Sequence, residues 1–158
     1  MIDKDAKLGE ILIKKGWLDH KQLEEILEKQ KLDREFLGKI LLREKAITEE
    51  QLVVALSEQF HIPCVQLKNF YVDWDLVMKF SASLILDHRC FPLRRDGDTV
   101  IVGITNPLDA WALSVVKAET KGYVSKLVLV TESEMRELLD RYRQYVNINI
   151  RRSLDGGE

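Results

Sequence analysis

Two histidines and two cysteines are the residues of this sequence whose types come nearest to a metal site. His61 precedes Cys64 by three positions, and His88 precedes Cys90 by two. Two His and two Cys are able to close a tetrahedral zinc site. Their spacing matches no recognised zinc pattern, and both cysteines lie in apolar, strand-like runs, where a thiol commonly behaves as a small buried hydrophobe. We therefore expect no resident metal or cofactor.

Catalytic motifs are missing from the sequence. It contains no GxxxxGK[ST] phosphate loop, no GxSxG elbow, no HExxH pair and no GxGxxG following a strand. Asp73 and Asp75 form a carboxylate pair, but two acidic residues at a predicted helix start are typical of a cap and of dipole complementation. The sequence therefore predicts a protein that is not an enzyme.

Composition narrows the class further. The 158 residues are 46% hydrophobic and 32% charged, as in ordinary globular proteins, and Lys plus Arg number 24 against 26 Asp plus Glu. A net charge of -2 disfavours a surface that follows phosphates, so no nucleic-acid partner is expected. The chain shows neither a signal segment nor 18 consecutive apolar residues, which predicts a cytoplasmic protein.

A tandem repeat organises the first part of the chain. Residues 8–30 align with residues 37–59 at an offset of 29, and each copy has the apolar spacing of two short helices joined by a turn. Identical residues occur at Leu8/Leu37, Gly9/Gly38, Ile11/Ile40, Leu12/Leu41, Gln22/Gln51, Leu23/Leu52, Leu27/Leu56 and Gln30/Gln59. We expect residues 1–62 to form one all-helical unit whose copies share a core through a two-fold or screw-like relation.

Helix starts are marked in each copy. Asp19 and Thr48 are placed as N-caps, with Gln22 and Gln51 three residues later, which is the capping-box spacing.

A helix-turn-helix DNA-binding protein is an alternative for these helix pairs. The acidic residues of the second helices, Glu24, Glu25, Glu28, Glu49, Glu50 and Glu58, argue against it because they would face phosphates.

The pattern changes after Ile62-Pro63. Residues 63–146 predict a βαββαβα unit: a strand at Cys64–Leu67, helical segments within 75–88, a hairpin around Asp96-Gly97-Asp98, a helix after Asn106-Pro107, a strand at VSKLVLV and a last helix started by Thr131-x-x-Glu134. Residues 147–158 resemble a frayed end or the start of a linker. The predicted class is α+β, a four-helix repeat unit followed by a small mixed-sheet domain.

The repeated Leu-Gly pairs are the residues that stand out for ligand binding. Glycine at a helix start lets a ligand approach unpaired backbone N–H groups, which form a natural anion site. Close packing of two helices is an equally good explanation of Gly9 and Gly38. Gln30 and Gln59 either contact an amide-bearing or purine ligand or cap their helix ends.

The pattern [RK]LGxxLxxxGxLxxxxLxxxLxxQ describes residues 7–30 and, with departures, residues 36–59 after a five-residue spacer. It resembles the N-terminal domain of type II secretion and type IV pilus assembly ATPases. FPLRRDGDTVIVGITNPLD, ETKGY and TESEMRELLDRY resemble the domain that follows in that family. Some members bind cyclic di-GMP, and the resemblance implies a ligand site. Its positions here are Lys7, Leu8, Gly9, Leu12, Gly16, Leu23, Leu27 and Gln30, then Phe36, Leu37, Gly38, Leu41, Leu52, Leu56 and Gln59.

Three positions depart from the residues that the family has there. Lys7 and Phe36 stand where the family has arginines that contact guanine and phosphate, and Lys45 stands where the second copy should have glycine. Lysine keeps the charge without the planar fork, and phenylalanine keeps stacking without the charge.

The function predicted from the resemblance is a non-catalytic docking and regulatory domain. It would couple a motor ATPase to an inner-membrane platform protein or a cytoplasmic adaptor, at the inner-membrane face of a bacterium, with the membrane reached only through the partner. The chain would either be the N-terminal domain of a protein with a C-terminal ATPase module or work alone. A cyclic di-GMP sensor is the alternative function. Trp17, Trp74 and Trp111 are candidate anchors for a partner.

Overall fold

The computed structural model describes the backbone of residues 4–156 and the side chains of residues 7–156. The chain divides into two compact units, Met1–Cys64 and Val65–Glu158. The first is helical and the second combines helices with a three-stranded sheet, which confirms the α+β class. The division falls at Cys64, close to the Ile62-Pro63 boundary expected from the sequence.

Four helices build the described part of the first unit. They are α1 (Lys4–Lys14) and α2 (His20–Asp33) in the first copy of the repeat, and α3 (Leu37–Arg43) and α4 (Glu49–Phe60) in the second. Their apolar faces form one core, because burying these faces is the main source of stability for helices this short. The buried core residues are Leu8, Leu12, Leu18, Ile26, Leu37, Ile40, Leu41, Ile47, Leu52, Val53, Ala55 and Leu56.

The second helix of each copy starts with the predicted capping box. Asp19 Oδ1 accepts a hydrogen bond from Gln22 N at 2.7 Å, and Gln22 Oε1 accepts from Asp19 N at 3.0 Å. Thr48 Oγ1 and Gln51 repeat the arrangement at 3.1 and 2.9 Å. A cap of this kind contributes about 1 kcal/mol, so the helix starts are set by local chemistry.

The second unit is built on three strands in the order β1-β2-β3. Strand β1 (Phe91–Asp96) pairs antiparallel with β2 (Thr99–Ile104), and β2 pairs parallel with β3 (Val124–Leu129). The predicted hairpin turn is present, with Gly97 at a φ of 57°. Helix α6 (Ala110–Glu119) connects β2 to β3.

Two helices pack around the β1 strand. The short α5 (Trp74–Val77) lies against β1, and α7 (Glu132–Asp155) places Tyr142 edge-to-face on Phe91, with ring centroids 6.4 Å apart. Helix α7 starts at the predicted Thr131–Glu134 capping box. Its buried face consists of Met135, Leu138, Leu139 and Tyr142.

The predicted first strand, Cys64–Leu67, is wrong. Only a single bridge forms at Cys64, and Val65 N donates to Leu129 O at 3.0 Å. Leu67 N donates instead to the carboxylate of Glu134 at 2.7 Å, and residues Leu67–Asn69 form a 3₁₀ turn. A side chain distant in sequence therefore takes the N–H that a longer strand would need.

The predicted tail at 147–158 is also corrected, because α7 continues to Asp155. The segment 147–155 contains neither proline nor glycine, and Gly156 is the first helix-breaking residue after it. Once a helix is anchored by its buried first half, each further residue adds a hydrogen bond without a new nucleation cost.

Candidate functional site

Exchanging the two copies of the repeat leaves the pattern of helix contacts unchanged, as expected of a two-fold relation between them. Helix α1 contacts α4, and α2 contacts α3. Replacing each helix by its counterpart in the other copy turns the first contact into the second. Each position in the first copy can therefore be compared with its counterpart 29 residues later.

Each repeated glycine receives a leucine from the second helix of its own copy. A Cβ built on Gly9 would lie 2.7 Å from Leu23 Cδ2, and one built on Gly38 would lie 2.9 Å from Leu52 Cδ1. Gly9 and Gly38 are buried and occupy equivalent positions. Close packing, one of the two explanations left open by the sequence, is therefore what the glycines provide in both copies.

An anion site at a helix start, the other explanation left open by the sequence, does not hold for the glycine of the first copy. Gly9 is an interior residue of α1, which begins at Lys4, so its N–H lies within the helical hydrogen-bond ladder. Gly38 is the second residue of α3. The copies differ because Lys4 to Lys7 continue the helix, whereas Arg34 (φ 53°) and the extended Phe36 interrupt the chain before α3.

The turn after the first helix is the same in both copies. Gly16 N and Trp17 N donate to Ile13 O and Leu12 O, at 2.9 and 3.0 Å. In the second copy Lys45 N and Ala46 N donate to Leu42 O and Leu41 O, both at 3.0 Å. This is the Schellman geometry, which needs a left-handed residue. Gly16 has φ 75° and Lys45 has φ 56°, so the lysine keeps the turn at a steric cost.

The remaining site positions divide into a buried frame and a polar rim. Lys7 is exposed, Phe36 and Gln30 are half-buried, and Gln30 Nε2 donates to Glu35 O at 3.1 Å. The leucines Leu8, Leu12, Leu37, Leu41, Leu52 and Leu56 are buried, Leu23 and Leu27 are half-buried, and Gln59 is buried. The apolar site residues thus serve as core.

Ion pairs that the sequence did not predict surround this frame. Lys15 Nζ lies 2.9 Å from Glu58 Oε2, and Lys29 Nζ lies 2.7 Å from Glu44 Oε2. The hydrogen bond from each lysine lowers the pKa of its glutamate. The partners are far apart in sequence, so helix periodicity alone could not have revealed them.

The candidate zinc residues are divided between the two units of the chain. His61 and Cys64 belong to the first unit and His88 and Cys90 to the second. Across the described residues, no three His, Cys, Asp or Glu are placed to hold a metal ion. Burial, followed by the charge of Asp109, raises the pKa of the Cys90 thiol to about 12, so this thiol stays protonated.

The three tryptophans have different surroundings. Trp74 stacks on Tyr145 with centroids 4.9 Å apart, and Trp17 is half-buried with Lys15 Nζ 5.4 Å from its ring. Trp111, on α6, exposes 68% of its surface. Of the predicted anchors, Trp111 is therefore the one open to a partner.

Within the described residues, no helix has the length and apolar character needed to cross a membrane.

Fold and site together define a domain in which a tandem helical repeat precedes a small α/β unit. The MshEN domain family matches residues 60–146, more than half of the chain, and the chain belongs to this family. It is 30% identical over 137 residues to the type IV pilus assembly ATPase PilB of Myxococcus xanthus, covering 87% of this chain and 24% of PilB. The chain thus spans about a quarter of that relative.

Two solved structures share the fold across both units. The structure of MshE with cyclic di-GMP has a TM-score of 0.76 and 28% identity, covering 85% of this chain and 97% of the MshE chain. The N-terminal domain of XpsE has a TM-score of 0.73 and 17% identity, covering 89% and 96%.

Proposed function

We propose that this chain is a non-catalytic docking and regulatory domain of a secretion or pilus motor ATPase. The observation that carries the proposal is that nearly all of this chain corresponds to a minor part of PilB. The sequence has no phosphate loop of its own, so ATP hydrolysis would belong to a further module. The domain would join that module to an inner-membrane platform protein or an adaptor.

Trp111 is the residue we assign to partner contact. Its ring is exposed on α6, and the N-terminus of this helix is held by Asp109 Oδ1, which accepts from Ala112 N at 2.9 Å. A large aromatic on a fixed helix loses little entropy on binding, and tryptophan is enriched among residues that dominate interface energies. With a net charge of -2, long-range electrostatic attraction contributes little to this contact.

The test is binding of this chain to the purified cytoplasmic part of the platform protein from the same organism. Trp111→Ala should weaken the affinity about tenfold or more, because truncation of an interface anchor costs about 2 kcal/mol. Tyr71→Ala, which removes another exposed aromatic (78%), is the matched control and should leave the affinity unchanged. If the natural chain binds neither the platform protein nor the adaptor, the docking function is wrong.

A cyclic di-GMP sensor is the second candidate, and the similarity to MshE with cyclic di-GMP is what favours it. The two-fold arrangement of the copies suits a ligand with two equivalent halves. Lys7 lacks the bidentate fork of arginine and Phe36 lacks a charge, and each lost fork removes about 1.5 to 3 kcal/mol. We therefore expect calorimetry to detect weak binding or none in the natural chain, and micromolar binding after Lys7→Arg with Phe36→Arg.

A further inference from the structure

The Phe36 ring packs on Gly38, the glycine of the same copy of the repeat. A Cβ built on Gly38 would meet Phe36 Cε1 at 2.7 Å and Phe36 Cζ at 3.0 Å, in addition to Leu52 Cδ1 at 2.9 Å. The edge of the ring and the end of the leucine thus converge on one point above the buried glycine. The ring fills the space at the start of α3 on the side of α4.

The equivalent place in the first copy is different. The three atoms nearest to a Cβ built on Gly9 all belong to Leu23, and the side chain of Lys7, the counterpart of Phe36, is exposed. Two copies that agree in their turns, glycines and leucines therefore differ in what lies over the glycine. The difference follows from the side chain and from the backbone at this position, because Lys7 lies within α1 whereas Phe36 is the extended N-cap of α3.

The position of the ring has a physical reason. Phe36 stands at the N-cap of α3 with φ -60° and ψ 130°, and its side chain makes no capping hydrogen bond. A phenylalanine in this place gains by removing ring surface from water, and a buried glycine offers a flat surface on which an aromatic ring can lie. The side chain that would ordinarily cap the helix is thereby folded onto the unit.

We propose that the Phe36 ring obstructs ligand binding at Gly38 in the second copy, and that Phe36 thereby determines the ligand specificity of the repeat unit. The inference rests on the sensor candidate described above. The Phe36 ring lies over Gly38, whereas the counterpart of Phe36 in the first copy, Lys7, is exposed. A ligand half that approached the second copy at this position would therefore meet the ring, and the missing charge would not be the only obstacle. A ligand with two equivalent halves then meets a phenyl ring at the second copy and, at the equivalent position of the first copy, an exposed lysine side chain.

Calorimetry in a Lys7→Arg background separates obstruction from missing charge. Binding of cyclic di-GMP is measured for Lys7→Arg alone, with Phe36→Ala and with Phe36→Arg. If the ring obstructs, Phe36→Ala should tighten binding about tenfold or more, although it adds no charge. If only Phe36→Arg tightens binding, the ring is no obstacle and the proposal is wrong, while the sensor candidate stands. If none of the three binds, both the proposal and the sensor candidate are wrong, and the docking function is unaffected.

A ligand-free measurement checks the contact itself. In the proton NMR spectrum of the natural chain, the ring current of Phe36 should displace the Hα resonances of Gly38 relative to those of Gly9. Phe36→Leu, which keeps apolar bulk so that the unit stays folded, should abolish that displacement. Gly38 resonances that do not respond to Phe36→Leu would overturn the proposed position of the ring.

Discussion

Lys15 and Glu44 occupy equivalent positions in the two copies of the repeat, yet they carry opposite charges. Lys15 pairs with Glu58, and Glu44 pairs with Lys29, whose counterpart in the second copy is Glu58. The same ion pair is thus formed twice with its polarity reversed. Pairing a first copy with another first copy would oppose Lys15 to Lys29, so these charges favour contact between unlike copies.

Reversing one charge of this arrangement should lower stability, and reversing both should restore it. Lys15→Glu would place a second carboxylate beside that of Glu58, and the two would repel each other. Lys15→Glu together with Glu58→Lys restores an attractive pair. Urea unfolding midpoints check this, with Lys121→Glu in the second unit as a charge-matched control. A double variant no more stable than Lys15→Glu would contradict the interpretation.

The same pairs predict acid sensitivity. Hydrogen bonds from Lys29 and Lys15 lower the pKa of Glu44 and Glu58 below the usual 4.5, so the unfolded chain takes up protons first as the pH falls. The stabilisation is present above the unfolded pKa and is lost as pH falls through the folded pKa. Urea midpoints from about pH 7 to about pH 3 should fall less in Glu44→Gln with Glu58→Gln than in the natural chain.

Lys45→Gly should stabilise the chain. Lys45 holds the left-handed position that Gly16 holds in the first copy, and a side chain there is strained. Glycine relieves about 1 to 2 kcal/mol of steric cost, of which its greater freedom in the unfolded state offsets about 0.5 to 1 kcal/mol, so we expect a net gain of about 0.5 to 1 kcal/mol. Chemical denaturation measures it.

Gly16→Lys is the matched reverse change. A Cβ on Gly16 would have no atom within 4 Å, so backbone strain alone should lower stability by about 1 kcal/mol. Equal stability of Gly16→Lys and the natural chain would show that the turn has no preference at this position.

The effect of Gly9→Ala on stability should change sign when Leu23 is shortened. In the natural chain the new Cβ would meet Leu23 Cδ2 at 2.7 Å, and this overpacking should outweigh the better helix propensity of alanine, for a net loss of about 1 kcal/mol. In a Leu23→Ala background the obstacle is gone, and Gly9→Ala should add about 1 kcal/mol. Additive effects of the two changes would contradict direct packing.

The two thiols should react differently. Cys64 is exposed, whereas Cys90 is 2% exposed and has a pKa of about 12. Since the thiolate is the reactive form, iodoacetamide should label Cys64 in the folded chain and should label Cys90 only after unfolding. Mass spectrometry of Cys64→Ser checks this: rapid labelling of that folded variant would show that Cys90 is accessible.

The Cys90 thiol also predicts a loss of stability in alkali. Above its usual pKa of 9.0 the unfolded chain releases this proton while the folded chain keeps it. The contribution is therefore fully present below about pH 9 and is lost as pH rises towards about 12. Cys90→Ala should show a smaller decline in urea midpoint over that range than the natural chain.

Local chemistry is what the sequence could establish. Asp19 with Gln22 and Thr131 with Glu134 define helix starts because a capping box acts over three residues, and the Gly97 turn defines the hairpin. The repeat could be recognised from the sequence because equivalent apolar residues of both copies pack in one core. The strand expected at Cys64–Leu67 failed because Glu134, far along the chain, takes the N–H of Leu67.

By itself the sequence determined the two copies, their helices, the hairpin and the class of fold, since these follow from periodicity and from contacts within a few residues. The tertiary structure decided what the glycines and charges do. Gly9 faces Leu23, Phe36 covers Gly38, and Lys15 meets Glu58 only after the helices have packed. Which atoms converge over a glycine depends on the angle and distance between helices, and no local pattern carries that information.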